Sequence, residues 1–172
     1  MLEVRDMTMP SIQPAWSQDY SLGIEEIDEQ HRIVFEQIDA LRTGIVRGET
    51  RREIAGRIEQ LIEYTRVHLV MEESTMRLLA YTDYAAHKRL HDAALIEMDV
   101  YAQRHHAGET LVAEAFLAYA DNWWRQHILD GDARYVRSLT GGKGVPKRWL
   151  PDLGGLLRRR RKAGGHHNLP GA

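Results

Sequence analysis

The chain has no cysteine among its 172 residues. This absence excludes disulfides, iron–sulfur clusters, thiolate zinc sites and cysteine nucleophiles, so any bound metal must have nitrogen and oxygen ligands. The sequence also lacks a run of about eighteen apolar residues, the length that a membrane-spanning helix needs. Its first ten residues contain no basic segment followed by an apolar run, as a signal peptide would. We therefore expect a cytoplasmic protein without a transmembrane segment.

Aromatic residues are also scarce, at 8% of the chain, and only two of them are Phe. Ala, Leu, Ile, Glu and Arg are plentiful instead, and this mixture favours helices. The length and the hydrophobic fraction of 43% fit one ordinary domain with a sizeable core, plus a tail.

Charge is distributed unevenly along the chain. The net charge is −2, but the 32 residues after Thr140 contain eight Lys and Arg against one Asp, which leaves −9 on residues 1–140. This segment, 141–172, is rich in Gly, Pro and Arg, and we expect it to be a mostly disordered tail. The basic run 158–162 could bind an anionic partner weakly, although a solvated tail is the preferred interpretation. Nucleic acid is an unlikely partner because the sequence contains no nucleic-acid-binding motif.

The N-terminal part of the chain predicts an arm followed by helices. Residues 1–23 show no sustained period and form a predicted extended arm, which Trp16 could attach to the body of the protein. Apolar residues at steps of three and four then predict a helix from an N-cap at Asp28 to a stop near Gly48. A second helix begins after a cap at Thr50 and fades near Tyr81.

Two more helices follow at the same spacing. Asp83 can cap a third helix that ends before Gly108, and a fourth begins at about Thr110, with a disturbance expected near Gly131. Because the connections are short, we predict an all-α fold, an antiparallel up-down-up-down four-helix bundle over residues 24–140.

Six polar residues fall within the apolar stripes, where a bundle normally places Leu, Ile or Ala. They are His31, His68, Glu72, His87, His91 and His127. A single histidine on such a face is more often a satisfied core residue than a ligand. Here every helix contributes at least one residue, and two helices contribute pairs four residues apart, which share a face. Five buried imidazoles would leave acceptors unsatisfied, and a metal site in the bundle interior would resolve this.

The number of ligands favours a two-metal site. Five histidines and at least one carboxylate are too many for one tetrahedral zinc ion. The segment from His87 to His91 also lacks the glutamate of a zinc protease motif. Imidazole with carboxylate suits iron, manganese or copper, and the count indicates two ions bridged by carboxylates. Glu73 lies about 100° around the helix from Glu72, and we interpret it as a solvated neighbour rather than a ligand.

Four groups of residues between Trp16 and about residue 139 form a specific pattern. These are Trp16 and Gly23 ahead of Ile27-Asp28-Glu29-Gln30-His31; His68 with Glu72 and Met76; Tyr81 ahead of His87 and His91; and Trp123 ahead of His127-Ile128 with Asp132. In these residues the chain resembles the hemerythrin family, and in particular its bacterial single-domain members.

The resemblance implies a non-haem di-iron centre and assigns its ligands. His87, His91 and His127 would hold one iron, and His31 and His68 the other. Glu72 and Asp132 would bridge the pair together with an oxo or hydroxo group, and the second iron would keep an open position for oxygen. The role of Asp132 depends on the resemblance, because on sequence alone this residue would pass as a loop acid.

Two positions depart from the usual pattern of the family. Trp124 stands where leucine often lines the oxygen pocket, and Leu69 stands where phenylalanine is common. Trp124 could fill the pocket, or it could turn outward and simply cover the bundle. By resemblance, the expected function is reversible binding of molecular oxygen without enzymatic turnover. An oxygen or redox sensor and an enzyme acting on peroxide or nitric oxide are the alternatives.

Overall fold

The computed structural model describes residues 16–140, and within them the chain forms helices and no strand. After a short 3₁₀ helix, Gln18–Tyr20, the elements are α1 Glu25–Val46, α2 Arg51–Leu78, α3 Tyr84–His106, α4 Val112–Gln126, a π-helix His127–Asp132 and α5 Ala133–Thr140. The π-helix joins α4 and α5 without a break, so together they form the fourth long helix. Each long helix packs against the next, and α1 packs against α4. The predicted four-helix bundle is confirmed.

Helix α1 begins three residues before Asp28, so the prediction that Asp28 caps it is wrong. The Asp28 carboxylate instead accepts hydrogen bonds from the Ser21 hydroxyl, at 2.6 Å, and from the backbone N–H groups of Leu22 and Gly23, at 2.7 and 3.2 Å. Asp28 therefore holds the segment that enters the bundle, a role that its position in the sequence did not distinguish from capping.

The predicted cap of α2 is confirmed. The Thr50 hydroxyl accepts from the Glu53 N–H at 3.4 Å, and the Glu53 carboxylate accepts from the Thr50 N–H at 2.8 Å, which completes a capping box. Asp83 does precede α3, but its side chain makes no cap hydrogen bond. Helix α4 begins at Val112, two residues later than expected.

Trp16 attaches the described part of the arm to α1. Its ring lies 6.0 Å from the ring of Phe35, and the Arg32 guanidinium lies 5.1 Å above it. The rest of the predicted arm and the whole predicted tail, 141–172, fall outside the described residues. The boundaries at residues 23 and 140 therefore stay predictions. Among residues 16–140, no helix has the length and apolar character needed to cross a membrane.

Along α1, α2 and the fourth long helix, buried polar residues lie between two clusters of buried apolar residues. The larger apolar cluster includes Phe35, Leu61, Met98 and Phe116, and a smaller one at the other end of α1 and α2 includes Ile24, Ile27, Met76, Tyr81, Tyr135 and Val136. On α1, His31 lies between Ile27 and Val34. On α2, His68 and Glu72 precede Met76. A polar layer therefore lies between two apolar clusters, where little water can reach it.

Candidate metal centre

The polar layer contains all seven residues that the sequence assigned to metal binding. His31 comes from α1, His68 and Glu72 from α2, His87 and His91 from α3, and His127 and Asp132 from the two ends of the π-helix. Their exposure ranges from 0 to 7%. Seven ionisable or polar side chains at this depth require partners, because burying an unpaired polar group costs free energy.

The seven side chains form two groups, each with ligand atoms within 4.8 Å of one another: Glu72 with His87, His91 and His127, and Asp132 with His31 and His68. In the first group, the Nε2 atoms of His91 and His127 lie 3.1 Å apart. Glu72 Oε2 lies 3.3 Å from His91 Nε2. Converging nitrogen and oxygen atoms of this kind are the donors that first-row transition metals prefer.

Asp132 reaches both groups. Its Oδ1 lies 3.0 Å from His127 Nε2, and its Oδ2 lies 3.2 Å from His31 Nε2. The π-helix explains how it arrives there. Hydrogen bonds in a π-helix join residues five apart, so residues five apart lie on the same face. Asp132 therefore shares a face with His127. In an α-helix, the residue four positions after His127 would share that face instead.

Gly131 is the residue that makes room for this turn. A Cβ at Gly131 would lie 3.0 Å from His127 Nδ1 and 3.1 Å from His87 Cε1, tighter than ordinary contact. With a side chain at residue 131, the two imidazoles would have to move away from the turn by a few tenths of an ångström. This is the physical basis of the disturbance that the sequence predicted near Gly131.

The unpartnered atoms of the layer fit a metal pair. Among the described residues, these buried atoms have no hydrogen-bond partner: both ring nitrogens of His31, Nε2 of His68 and His87, Glu72 Oε2, and both carboxylate oxygens of Asp132. Such atoms are rare in folded proteins, and each costs free energy when it stays unsatisfied. Binding to a cation would satisfy all the oxygens and every ring nitrogen that carries a lone pair.

Hydrogen bonds behind two of the histidines direct their free lone pairs inward. The Gln30 side-chain oxygen lies 2.7 Å from His68 Nδ1, and the Glu73 carboxylate lies 3.1 Å from His91 Nδ1. Amide and carboxylate oxygens accept hydrogen bonds, so each Nδ1 is the donor, and in a neutral ring the lone pair is then on Nε2. Hydrogen bonds of this type fix the tautomer and orientation of metal-binding histidines. Lys88 Nζ lies 3.5 Å from the Glu73 carboxylate and balances its charge.

In the metal-free protein, protons balance the negative charge of the two carboxylates. Burial lowers the pKa of His127 and of His87, but the adjacent Asp132 and Glu72 outweigh it and raise these pKa values to about 10 and about 9. Burial raises the pKa of Asp132 as well, yet the charge on His127 holds it well below its usual range. For His68, burial is the main cause of a pKa of about 3, so this ring is neutral.

Aromatic rings enclose the centre on one side. Trp124 is fully buried, with its ring 5.2 Å from that of His68 and 6.1 Å from that of His31. The interpretation that it turns outward is therefore wrong. Trp123 stacks on His127 at 4.4 Å with an interplanar angle of 12°. Leu69 is buried as well, in the larger apolar cluster.

Sequence reasoning missed three residues beside the centre. Glu73 was interpreted as solvated, but it is only 8% exposed and contacts His91, so that interpretation is wrong. Gln30 is part of the family pattern but had no predicted role, and Tyr135 had none either. A buried polar residue one position before a candidate ligand, as Gln30 is before His31, could have indicated a supporting hydrogen bond. Tyr135 lies one helical turn after Asp132, which could have suggested that it shares the same face.

Comparisons with known proteins agree with this geometry. The model of the hemerythrin HHE cation binding domain matches residues 22–139. A bacteriohemerythrin of Pseudomonas paraeruginosa is 34% identical over 124 residues, which cover 72% of this chain and 80% of that protein. A bacteriohemerythrin of Methylococcus capsulatus is 29% identical over 71% of this chain and 92% of its own length.

The fold is also similar to that of a protein of known structure. The crystal structure of a wild-type hemerythrin aligns with a TM-score of 0.67 and 28% identity, over 73% of this chain and 96% of that one. The described bundle, the two converging groups of ligand atoms and the matched family model all agree. The chain belongs to the hemerythrin family, and its bundle is a cation-binding domain of the di-iron, oxygen-binding type.

Proposed function

We propose that this domain binds molecular oxygen reversibly at two non-haem iron ions joined by a bridging oxo or hydroxo group. His87, His91 and His127 would hold one iron, His31 and His68 the other, and Glu72 and Asp132 would bridge them. The observation that supports this most directly is the position of Asp132, whose two oxygens face histidines of different groups. A carboxylate in that position suits two ions rather than one.

The composition of the ligand set favours carriage over catalysis. When bound, an iron pair of this kind supplies the two electrons that oxygen takes up on binding. Five imidazoles and two carboxylates donate less negative charge than the carboxylate-rich sets of di-iron oxygenases, so the high oxidation states that cleave oxygen are less favoured. Cleavage of oxygen would then be slower relative to its release, as reversible binding requires.

The surrounding residues hold the ligands and exclude water. Gln30 and Glu73 orient His68 and His91 from behind. The apolar neighbours Leu69 and Ile128 are almost completely buried and close the layer on the side of the larger cluster. A dry environment would slow the access of the protons that loss of hydrogen peroxide requires.

Trp124 and Leu69 line the proposed oxygen pocket. The Trp124 ring centroid lies 6.1 and 5.2 Å from those of His31 and His68, the pair assigned to the second iron. Its ring is larger than the leucine that the family resemblance leads us to expect there. We propose that this ring narrows the space in which oxygen is held and slows its entry. Leu69 compensates by leaving more room than phenylalanine would.

The visible spectrum of the iron-loaded chain tests the proposal. The protein is reduced, exposed to air and deoxygenated repeatedly, and a matched variant, His106→Gln, changes an exposed histidine outside the centre. We expect an absorption band that appears with air and vanishes on deoxygenation in both proteins, and that is absent from His91→Ala. Rapid irreversible bleaching in the first cycle would contradict reversible carriage and favour sensing or catalysis.

Two further predictions from the sequence have no support from the fold. They are the cytoplasmic location and the weak anionic partner of the basic run 158–162, which lies outside the described residues. Comparing the full chain with a truncation after Thr140 in a liposome-binding assay at several salt concentrations tests the second of them.

A further inference from the structure

Tyr135 places a polar atom in the smaller apolar cluster without giving it a partner. The side chain is fully buried, and its hydroxyl makes no hydrogen bond to any of the described residues. Its ring contacts the edge of Tyr81 at 5.3 Å. Buried tyrosine hydroxyls almost always find a partner, so an isolated one indicates that something outside the chain binds there.

A small cavity lies where that partner would be. Tyr135 lines it together with Glu72 and His68 of the metal centre, and Ile27, Gln30, Met71 and Thr75 complete its wall. The volume is ≈ 20 Å³, enough for one water molecule, which needs about 10–15 Å³. A buried water also needs at least two polar partners. Two of the lining residues carry suitable groups, a donor in the Tyr135 hydroxyl and an acceptor in the Glu72 carboxylate.

The hydroxyl remains a donor at ordinary pH. Burial raises the pKa of Tyr135, and the negative charges of Glu72 and Asp132 raise it further. A water molecule in the cavity can therefore accept from Tyr135 and donate to a carboxylate beside it. This arrangement satisfies both groups with one molecule.

The cavity lies on a different side of the centre from Trp124. Trp124 belongs to the larger apolar cluster, and Tyr135 to the smaller one, with the polar layer between them. Met71 and Thr75, which line the cavity, are both partly exposed. Glu72 is also more exposed than Asp132, at 7% against 1%. The cavity therefore lies on a side of the centre that is close to solvent.

We propose that this cavity binds one water molecule between the Tyr135 hydroxyl and the Glu72 carboxylate, and that this water is the position from which protons reach the metal centre. The proposed water position depends only on the cavity and its lining residues. The proposed role of this water in proton supply rests on the proposed function. Loss of oxygen as hydrogen peroxide consumes two protons together with two electrons, one from each ferrous ion, so the supply of protons through this water limits its rate.

Crystal structures of the metal-free and iron-loaded full chain test the water position. We expect electron density for one water within hydrogen-bond distance of the Tyr135 hydroxyl, and its loss or displacement in Tyr135→Phe. The control is Tyr81→Phe, which removes a hydroxyl from the same cluster but from a residue that does not line the cavity. An empty cavity in the wild type, or a hydroxyl bonded directly to a carboxylate, would overturn the proposal. Because the metal-free crystal decides this, the result is independent of whether the chain binds oxygen.

The iron-loaded protein tests the role of the water. We expect Tyr135→Phe to lose its oxygen-binding form several-fold more slowly than the wild type, with a smaller difference between H₂O and D₂O. Tyr81→Phe should behave as the wild type in both respects. Equal rates and equal solvent isotope effects in all three proteins would overturn the proton route, even if the water is present.

Discussion

Replacing Gly131 by alanine should weaken iron binding without unfolding the bundle. The added Cβ would lie 3.0 Å from His127 Nδ1, 3.1 Å from His87 Cε1 and 3.2 Å from His127 Cε1. The imidazoles must therefore move by a few tenths of an ångström. Metal-ligand distances tolerate only about 0.2 Å, so the displaced rings no longer reach the ion at the required distance.

The substitution should change the free energy of unfolding less than it changes iron affinity, because an unfavourable packing effect and a favourable helix-propensity effect oppose each other. Overpacking a buried site costs about 1–3 kcal/mol, whereas alanine is favoured over glycine in a helix by about 1 kcal/mol. The net change in the metal-free protein is then a loss of about 0–2 kcal/mol. For iron affinity we expect a decrease of about 10–100-fold, the range typical of disturbances next to a metal ligand.

The assay pairs chelator competition for iron with urea unfolding of the metal-free protein. The matched control is Gly56→Ala on α2, where a Cβ would meet no atom within 4 Å. Gly56 is exposed in a helix, so this variant should gain about 0.5–1 kcal/mol and bind iron normally. The reasoning fails if Gly131→Ala is stabilised like Gly56→Ala and retains wild-type iron affinity.

Three further predictions concern the same centre. The pKa values of His127 and His87 are raised to about 10 and about 9 in the folded protein. The stability that these two groups contribute is therefore complete below the pKa of about 6.5 that they have in the unfolded chain, and it is lost as the pH rises through 9–10. Urea titrations of the metal-free protein should show this decrease in the free energy of unfolding, and a flat or rising profile would contradict it. Gln30→Leu should lower iron affinity about 10–100-fold in chelator competition, because it removes the acceptor of His68. Trp124→Leu should speed oxygen binding in stopped-flow measurements, and unchanged rates would show that the ring does not restrict the pocket.

The periodic part of the fold could be predicted from the sequence because apolar spacing reports directly on burial. The stripes on α1, α2 and α3 located those helices, and the predicted N-cap at Thr50 located the start of α2. Asp28 was misinterpreted for a physical reason. An acid near a helix start can cap its own helix or bind the preceding chain, and only the folded path of residues 21–23 shows which it does.

The candidate centre was predictable to the extent that its residues share α-helical spacing. His68 with Glu72, and His87 with His91, are four residues apart and lie on common faces. Asp132 is five residues from His127, a spacing that points to one face only in a π-helix, so only the family resemblance indicated it.

Side-chain burial beside the ligands was the least predictable feature. Glu73 lies off the apolar stripe of α2, yet α3 covers it, because His91 and Lys88 attract its carboxylate. The orientation of Trp124 depends similarly on the packing of all four helices around one ring. Neither outcome follows from the local sequence, since both depend on contacts between helices.

The most direct test of the account is a crystal structure of the iron-loaded chain with anomalous diffraction at the iron absorption edge. We predict two iron peaks per chain. His87, His91 and His127 should contact one of them, His31 and His68 the other, and both Glu72 and Asp132 should bridge the pair. A single peak, or none after careful loading, would contradict the account.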